Sequence, residues 1–275
     1  MGRPSIVGFL KSLGKRLRIS VRGCEGGDKL RLLVWSFMDS IPRSVRKAFP
    51  YLEEPLELIK NKLVYGTVLN VNGNFFVLSD CESLFILSPE FEDWMWSYLK
   101  PTKGEVFVDV GAHIGKYTIQ IAKVVGESGL VVAIESHPKN YKVLLENIRL
   151  NGLKNVIPVN IAAWCSEGRV RLFIGDKNGH HSIKRDFGRG SLVVKARALD
   201  DVLEELRVEK VNWIKIDVEG AELEVLKGLQ NTLRKYRPTV IAEITREQSE
   251  IEDLIRKLGY TLKNIAPTYY LLKPN

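Results

Sequence analysis

One segment, residues 104–135, constrains the fold of this chain more than any other. It begins with a β-branched run, Val106–Val110, which is typical of a strand buried on both faces of a parallel sheet. A turn with two glycines follows, and apolar residues then recur at helical spacing. A second apolar run, Leu130–Ile134, ends at the acidic residue Glu135. Strand, glycine turn, helix, strand and acid together predict one βαβ unit of an α/β fold.

The glycine turn and its two neighbouring acids predict a nucleoside site. Gly111 and Gly115 let the backbone approach a ligand closely, and the helix N-terminus that follows offers unpaired N–H groups. Glu135, 20 residues after Gly115, can accept both hydroxyls of a ribose. The G-x-G-x-x-G fingerprint of dinucleotide enzymes is absent. Asp109 suits a cation, such as the ammonium of S-adenosylmethionine, better than a pyrophosphate. The alternative, an ordinary turn whose acid caps the helix, stays open.

Length and composition limit the class of protein. The 275 residues can form one large α/β domain with an appendage. Three cysteines lie far apart in no metal-binding spacing, which indicates a reducing compartment. No run approaches the roughly 20 apolar residues that span a bilayer, so we expect a cytoplasmic protein without a transmembrane segment. Three Gln, three Cys and three Met beside 74 charged residues favour a thermophilic source.

Charge is distributed unevenly along the chain. Residues 1–50 hold 11 Lys and Arg against three acidic residues, which accounts for the whole net charge of +8. Residues 51–275 hold 30 residues of each sign. The basic segment could therefore bind RNA, anionic lipid headgroups or an acidic partner. A solvated basic extension is an equally good interpretation.

The sequence predicts three consecutive parts. Residues 1–62 form a basic arm that is partly helical, with loose order over residues 1–29. Residues 63–103 form a hairpin and a helix that lead into the core. Residues 104–275 form the domain that binds S-adenosylmethionine.

Local signals predict further elements within these parts. The Asn-Gly pair at Asn72, between the β-rich runs 63–71 and 75–79, predicts a hairpin turn. Ser88 with the proline after it predicts the start of a helix. Asp200 is expected to cap a short helix. The polar stretch 174–190, punctuated by glycines between two alternating runs, predicts a long loop on a hairpin, an element that can cover a substrate.

Four motifs in order make a family resemblance specific. They are DVGAHIGKYT, IESHPKNYKVLLENIRLNGLKNV, the HHS loop and IKIDVEGAELEVLKGL. Together they resemble the FkbM family of S-adenosylmethionine-dependent methyltransferases, and the likeness covers about residues 64 to 273. The resemblance implies a class I methyltransferase fold, a Rossmann-like, mostly parallel seven-stranded sheet with helices on both faces and the last strand antiparallel. It also implies S-adenosylmethionine as cofactor and S-adenosylhomocysteine as product.

The resemblance also implies a set of cofactor-binding residues. Asp109 and the two glycines of the turn would line the methionine end, and Glu135 would hold the ribose. His113 stands where relatives commonly have Asn, and Ser136-His137 replaces a more usual Glu-Pro pair. The full set is Asp109, Gly111, His113, Gly115, Glu135, Ser136, Asn160, Ala162 and Asp217.

Methyl transfer to a hydroxyl requires a group that takes the proton, while the protein otherwise positions and desolvates the two reactants. Asp217 is the first candidate, because it follows a predicted buried strand; its alternative role is a helix cap. The other catalytic candidates are Glu219 and His181, and His181 could equally be polar loop surface. Asp217 with Glu243 could hold magnesium, but two carboxylates are few ligands. We therefore expect no metal site, and a divalent ion is the lesser alternative.

Three functions are compatible with these patterns. The first is O-methylation of a hydroxyl on a sugar, a glycan or a small metabolite. The second is methylation of RNA held by the basic arm, although no RNA-binding module and no Asn-Pro-Pro-Tyr-type motif is present. The third is a non-catalytic partner protein that keeps the cofactor pocket, against which the intact acids argue. The acceptor and the oligomeric state do not follow from the sequence.

Overall fold

The computed structural model describes residues 16–88, 90–175 and 180–275. The chain divides into two compact units, Met1–Phe91 and Glu92–Asn275. No helix in the described ranges is long and apolar enough to cross a membrane. The predicted part boundaries at residues 62 and 103 stay predictions.

The first unit combines helices with one hairpin. Its helices are α1 (Gly26–Asp39), α2 (Arg43–Ala48), α3 (Glu53–Val64) and α4 (Cys81–Ile86), and its strands are β1 (Val68–Val71) and β2 (Asn74–Val77). The two strands pair antiparallel around Asn72 and Gly73, which both have positive φ angles, as an Asn-Gly hairpin requires. The strand predicted from Leu63 is wrong at its start, because Leu63 still belongs to α3; a short apolar run does not distinguish helix from strand.

Much of residues 1–29 is predicted to be loosely ordered, and residues 1–15 lie outside the described ranges. Residues 16–20 are helical and α1 begins at Gly26, so these stretches are ordered. For the segment as a whole, loose order stays a prediction. A buried ion network stabilises this helical packing. The Lys60 ammonium lies 2.8 Å from a carboxylate oxygen of Asp39 and thereby joins α1 to α3.

The second unit contains a main sheet and a small one. Its strands are β3 (Val106–Val110), β4 (Leu130–Ile134), β5 (Val156–Val159), β6 (Ala162–Ala163), β7 (Gly168–Phe173), β8 (Ser191–Arg197), β9 (Trp213–Ile216), β10 (Thr239–Glu243), β11 (Tyr260–Asn264) and β12 (Tyr269–Pro274). Its helices are α5 (Met95–Tyr98), α6 (Lys116–Val125), α7 (Pro138–Leu150), α8 (Leu199–Glu205), α9 (Glu222–Lys227), α10 (Gln230–Tyr236) and α11 (Gln248–Lys257).

The main sheet confirms the predicted fold class. Its seven strands lie in the order β11-β12-β10-β9-β3-β4-β5. All neighbouring strands are parallel except β12, which runs antiparallel to both β10 and β11. The last strand is therefore the antiparallel one, as the class I methyltransferase sheet requires. The strands predicted at Val106–Val110 and Leu130–Ile134 are confirmed, and apart from the first residue of β4 every side chain in them is buried.

The small sheet has three strands in the order β6-β8-β7. Strands β7 and β8 form the predicted antiparallel hairpin, and the long polar stretch connects them. Their inward side chains form an apolar cluster of their own, separate from the cluster under the main sheet. The two strands that flank the connecting loop therefore pack on an apolar cluster of their own.

The helix predicted from Ser88 is shorter than expected. Pro89 lies outside the described residues, and the chain becomes α-helical only at Met95. Glu92 adopts a positive φ of 54°, which a right-handed helix does not allow. The Ser-Pro signal is therefore followed by a turn, and the helix begins only after it.

Asp200 caps a helix, but a different one from that predicted. Helix α8 begins at Leu199, so Asp200 lies inside its first turn. The Asp200 carboxylate accepts the backbone N–H groups of Asn231 and Thr232, both at 2.8 Å, at the start of α10. The cap is a tertiary contact, which local spacing cannot reveal.

This contact predicts a stability difference between two neighbouring acids. Asp200→Ala should lower the free energy of unfolding by about 1 kcal/mol, because two helix N–H groups lose their acceptor. Asp201→Ala, at an exposed position in the same turn, should cost less. Urea unfolding of both variants measures the difference, and equal losses would contradict the tertiary cap.

Candidate active site

The predicted acidic residues lie at the carboxyl ends of four neighbouring parallel strands. Asp109 is in β3, Glu135 follows β4, Asp217 follows β9, and Glu243 ends β10. The register pairs Asp109 with Ala133 of β4 on one side and with a β9 residue on the other. The structure therefore brings these four acids to one edge of the sheet, where open α/β sheets bind their ligands.

A glycine is required at position 111, because the backbone there comes close to the backbone of Asp217. It has a φ of +82°, and a Cβ atom at this position would lie 1.8 Å from the backbone oxygen of Asp217. No side chain fits such a gap. The glycine turn after β3 is therefore packed directly against the segment after β9, which fixes Asp217 relative to the cofactor turn.

Glu135 is held by backbone donors. Its carboxylate accepts the N–H of His113 and the N–H of His137, each at 2.8 Å. His113 has a φ of +52°, a conformation in which His, like Asn, is enriched, so the departure from the common Asn keeps the turn. Burial raises the pKa of Glu135 to about 7, although both backbone hydrogen bonds oppose the shift.

Asp109 presents a buried oxygen that fits a cationic ligand. The side chain is 1% exposed, and its Oδ2 accepts the Thr118 hydroxyl at 2.6 Å. Its Oδ1 is buried and has no hydrogen-bond partner within the described residues. Buried polar atoms are almost always paired, so this oxygen fits the ammonium at the amino-acid end of S-adenosylmethionine. Burial raises the pKa of Asp109, and the nearby Lys215 offsets part of that effect.

Three carboxylates form a cluster beside this position. One oxygen each from Asp217, Glu219 and Glu243 lies within 4.8 Å of the others. Burial and the neighbouring Asp217 raise the pKa of Glu243 to about 8. Burial and the charge of Asp217 therefore favour the protonated form of Glu243, which can donate a hydrogen bond to Asp217.

Lys215 keeps Asp217 ionised. Its ammonium lies 2.9 Å from Asp217 Oδ2. Burial alone would raise the pKa of Asp217, but the charge and hydrogen bond of Lys215 hold that pKa below its ordinary value. A divalent ion would have to compete with this ammonium and displace the proton of Glu243. The expectation that no metal binds here stays a prediction.

The structure adds an ionic and aromatic group that the sequence analysis missed. Glu92 accepts the hydroxyl of Tyr117 at 2.6 Å and that of Tyr269 at 2.5 Å. The Lys116 ammonium lies 3.6 Å from Glu92, and the ammonium groups of Lys116 and Lys215 lie 5.0 and 5.1 Å from the Tyr117 ring centroid. Burial lowers the pKa of Lys116 to about 8, with Lys215 adding to the effect and Glu92 opposing it.

Two of these missed residues carry sequence signals. Lys215 interrupts a strand that is otherwise apolar, and a fully buried lysine is rare unless it is paired. Lys116 begins a helix, where the helix dipole disfavours a cation. Glu92 has no such signal, because it precedes its helix in an irregular turn.

His181 has the geometry of a hydrogen-bond donor. Its Nδ1 accepts the backbone N–H of Gly175 at 3.1 Å. Burial, with the nearby His137 ring adding to it, lowers the pKa of His181 to about 3, so the imidazole is neutral. A neutral imidazole whose Nδ1 accepts carries its proton on Nε2. In this tautomer Nε2 can donate a hydrogen bond, and the catalytic role of His181 stays a prediction.

Ser182 ties the long loop to the acid cluster. Its hydroxyl donates to the backbone oxygen of Glu219 at 2.6 Å and accepts the N–H groups of Lys184 and Arg185, both at 3.1 Å. The side chain is 1% exposed. The described part of the loop between β7 and β8 is thus anchored beside the segment that follows β9.

The remaining predicted cofactor residues have structural partners of their own. Asn160 donates its amide to the backbone oxygens of Glu135 at 2.7 Å and Ser136 at 3.3 Å, which fixes the turn after β4. Gly115 precedes α6 with a φ of +94°. Ala162 packs its side chain in the cluster of the small sheet. Their cofactor contacts stay predictions.

The strand order and the acids at its edge define the class of protein. A seven-stranded sheet with its last strand antiparallel, a buried carboxylate in β3 whose Oδ1 has no partner among the described residues and a backbone-held glutamate after β4 are those of a class I methyltransferase. The cofactor of this class is S-adenosylmethionine, and Asp109 and Glu135 fit its two polar ends.

The family follows from comparison with known proteins. Residues 109–262, more than half of the chain, match the methyltransferase FkbM domain, so the chain belongs to the FkbM family of S-adenosylmethionine-dependent methyltransferases. Residues 34–170 also match the protein-L-isoaspartate(D-aspartate) O-methyltransferase family.

Individual relatives are similar over parts of their length. The hexuronic acid methyltransferase AglP of Haloferax volcanii is 35% identical over 143 residues, which cover 51% of this chain and 56% of that protein. Methyltransferase sdnD of Sordaria araneosa is 27% identical over 225 residues, which cover 69% of this chain and 86% of that protein. A crystal structure of a methyltransferase FkbM from Methylobacillus flagellatus has a TM-score of 0.49 and 16% identity, covering 97% of this chain and 60% of that one. The match to AglP covers little more than half the length of that protein.

The raised pKa of Glu135 predicts pH-dependent cofactor binding. Ribose hydroxyls donate to the ionised carboxylate, whereas the ligand-free group, with its pKa of about 7, is largely protonated at more acidic pH. Affinity for S-adenosylhomocysteine should therefore increase as the pH rises through about 7, by up to about tenfold per pH unit below the pKa. Calorimetric titration at a series of pH values measures this dependence.

Glu135→Gln is the control for this experiment. The variant should bind more weakly, and its affinity should not follow the same titration. If the variant keeps the wild-type pH dependence, another group titrates and Glu135 does not hold the ribose.

Proposed function

We propose that this protein transfers a methyl group from S-adenosylmethionine to a hydroxyl oxygen of a sugar or glycan. The observation that carries the proposal is the ionised Asp217, paired with Lys215 at 2.9 Å at the same sheet edge as Asp109. A hydroxyl acceptor must lose a proton, and an ionised carboxylate can accept one. Similarity to a protein named hexuronic acid methyltransferase supports a sugar as the acceptor.

Different residues of this chain serve cofactor binding and proton transfer. S-adenosylmethionine, when bound, supplies an electrophilic methyl group whose bond to sulfur breaks as the bond to the acceptor oxygen forms. Asp109 and Glu135 hold the two ends of the nucleoside. Asp217, whose side chain is 24% exposed, accepts the hydroxyl proton, and Lys215 keeps it oriented. Glu219 lies within the same group of carboxylates and can contact the acceptor hydroxyl.

An acidic sugar is the acceptor class that the cations of the site favour. Lys116 and Lys215 place two ammonium groups around the Tyr117 ring, and Lys116 begins a helix, whose N-terminus favours anions. Asp217 pairs with Lys215 more closely than Glu92 approaches Lys116, at 2.9 Å against 3.6 Å. Lys116 is paired with Glu92 and lies at this helix N-terminus, and we assign it to the carboxylate of a uronic acid.

Asp217→Asn tests the proton acceptor. The variant should bind S-adenosylhomocysteine like the wild type, while kcat for methyl transfer should fall by about a hundredfold or more. The assay follows labelled methyl groups from the cofactor into uronic acid and neutral sugar acceptors. Asp253→Asn, at an exposed position on α11, is the matched control. Unchanged turnover in Asp217→Asn would remove Asp217 from the proposal.

Lys116→Met tests the acidic acceptor. Loss of a charged hydrogen bond costs about 1.5–3 kcal/mol, so KM for a uronic acid acceptor should rise by about tenfold or more. KM for the corresponding neutral sugar should stay close to its wild-type value. Lys123→Met, on the exposed side of the same helix, should change neither. An equal loss with both acceptors would show that Lys116 does not recognise the carboxylate.

Two alternative functions, RNA methylation and a non-catalytic role, can be tested with the same labelled cofactor. Incubation with fractionated cell extract would direct label into RNA if the basic arm serves RNA methylation. A protein that binds S-adenosylhomocysteine but transfers no label to any fraction would be a non-catalytic partner. Asp109, Glu135 and Asp217 are all present at this sheet edge, which supports catalysis over a non-catalytic role.

A further inference from the structure

The turn after β9 contains two consecutive residues with left-handed backbone. Glu219 has a φ of 54° and Gly220 a φ of +100°. Glycine adopts this conformation without strain, whereas a glutamate there is uncommon. Strained conformations persist only where the surrounding structure holds them, and they cluster at functional sites. The contacts that hold Glu219 therefore bear on the chemistry of the neighbouring acids.

One peptide group in this turn, the 219–220 peptide, is held at both of its polar atoms by side chains. The Gly220 N–H donates to Glu222 Oε1 at 2.8 Å, and the Glu219 carbonyl oxygen accepts the Ser182 hydroxyl at 2.6 Å. This N–H and this carbonyl belong to the same plane. Glu222 and Ser182 are each 1% exposed. Two buried groups therefore fix the orientation of the 219–220 peptide.

The orientation of the 219–220 peptide determines where the Glu219 side chain lies. Rotation of the plane changes ψ of Glu219 and φ of Gly220 together, which would rebuild the turn. In the observed conformation one Glu219 carboxylate oxygen lies within 4.8 Å of oxygens of Asp217 and Glu243. The two bonds to the 219–220 peptide thus keep Glu219 within the carboxylate cluster.

Compensation of the helix dipole does not explain the placement of Glu222. Any acid in a first turn interacts favourably with the dipole, as does the exposed Glu250 of α11. Glu222 is instead buried, and burial raises its pKa to about 7, although the backbone N–H groups of Gly220 and Thr245 oppose the shift. Its carboxylate therefore lies between the segments that follow β9 and β10. Burial of a carboxylate is costly, so the turn is what this placement serves.

We propose that Glu222 is a positioning residue of the methyl-transfer site. Through the 219–220 peptide it holds Glu219 where the Glu219 carboxylate contacts the acceptor hydroxyl. Ser182 holds the same peptide from the loop between β7 and β8. This inference rests on the proposed function, because it assigns Glu219 to the acceptor.

Amide hydrogen exchange of the full chain tests the contact without any acceptor. In Glu222→Ala the Gly220 N–H should exchange about tenfold faster or more, because it loses a charged acceptor. Glu222→Gln keeps an amide oxygen and should keep most of the protection. Glu250→Ala is the matched control, since it removes a first-turn acid that is exposed, and it should leave Gly220 unchanged. Wild-type exchange at Gly220 in Glu222→Ala would overturn the proposal.

A double-mutant cycle with Glu219 tests the consequence for catalysis. With the uronic acid acceptor, Glu222→Ala should lower kcat by about tenfold or more, because the acceptor is misplaced, while affinity for S-adenosylhomocysteine stays at the wild-type value. Glu222→Gln should restore most of the rate. Added to Glu219→Gln, Glu222→Ala should cause little further loss, because both changes remove one contact. Fully additive losses would assign Glu222 to general stability and overturn the proposal.

Ser182→Ala provides a second variant that acts on the same peptide. It removes the bond at the Glu219 carbonyl and should show the same dependence of kcat on Glu219. Thermal unfolding identifies a temperature at which each variant is folded, and the rates are compared there. If Glu222→Ala does not fold, Ser182→Ala and Glu222→Gln complete the cycle, and additive losses with Glu219→Gln again overturn the proposal.

The two measurements distinguish this inference from the proposed function. A wild type that transfers label to another fraction and not to sugars contradicts the proposed function, and the cycle is then measured with that acceptor. Faster exchange at Gly220 with an unchanged kcat in Glu222→Ala would show that the contact holds the turn without serving the reaction, which overturns the positioning role.

Discussion

The buried ammonium of Lys215 is the interaction on which the site depends. Burial alone would lower the pKa of Lys215, but the carboxylates of Asp217, Asp109 and Glu92 raise it above its ordinary value. One fixed positive charge therefore allows several acids to share a buried sheet edge. Without it, those acids would have to bind protons or move apart, because unpaired buried charges are costly. Lys215 lies in β9, in register with Asp109 of β3. The sheet itself thus positions the charge that stabilises the site.

Backbone geometry connects the glycine turn after β3 to Asp217. A Cβ at Gly111 would meet the backbone oxygen of Asp217 at 1.8 Å, so the turn after β3 and the segment after β9 cannot move independently. The positive φ of His113 lets its N–H group bond to Glu135 after β4. Three adjacent strands are thereby joined at their carboxyl ends, by one close backbone approach and by one bond from a backbone N–H to the Glu135 carboxylate.

Much of the fold could be predicted from the sequence, because local pattern and burial agree there. β-branched runs bounded by glycines placed β3 and β4 correctly, and the acids at strand ends meet because parallel strands end at one edge. The misses have tertiary causes. Asp200 caps a helix about 30 residues away, and Glu92 joins two tyrosines that are distant in sequence. Contacts of this kind leave no periodic trace in a single sequence.

The pairing of Asp217 and Glu243 explains how two neighbouring acids take different roles. They cannot both be ionised easily at such short range, and Lys215 decides which one keeps the charge. Asp217 bonds to the ammonium and stays ionised, whereas Glu243 has no ion pair within the described residues and accepts the Thr268 hydroxyl at 2.8 Å. The asymmetry follows from β9 carrying a lysine two residues before its acid, so a single buried cation determines which of the two acids keeps the negative charge.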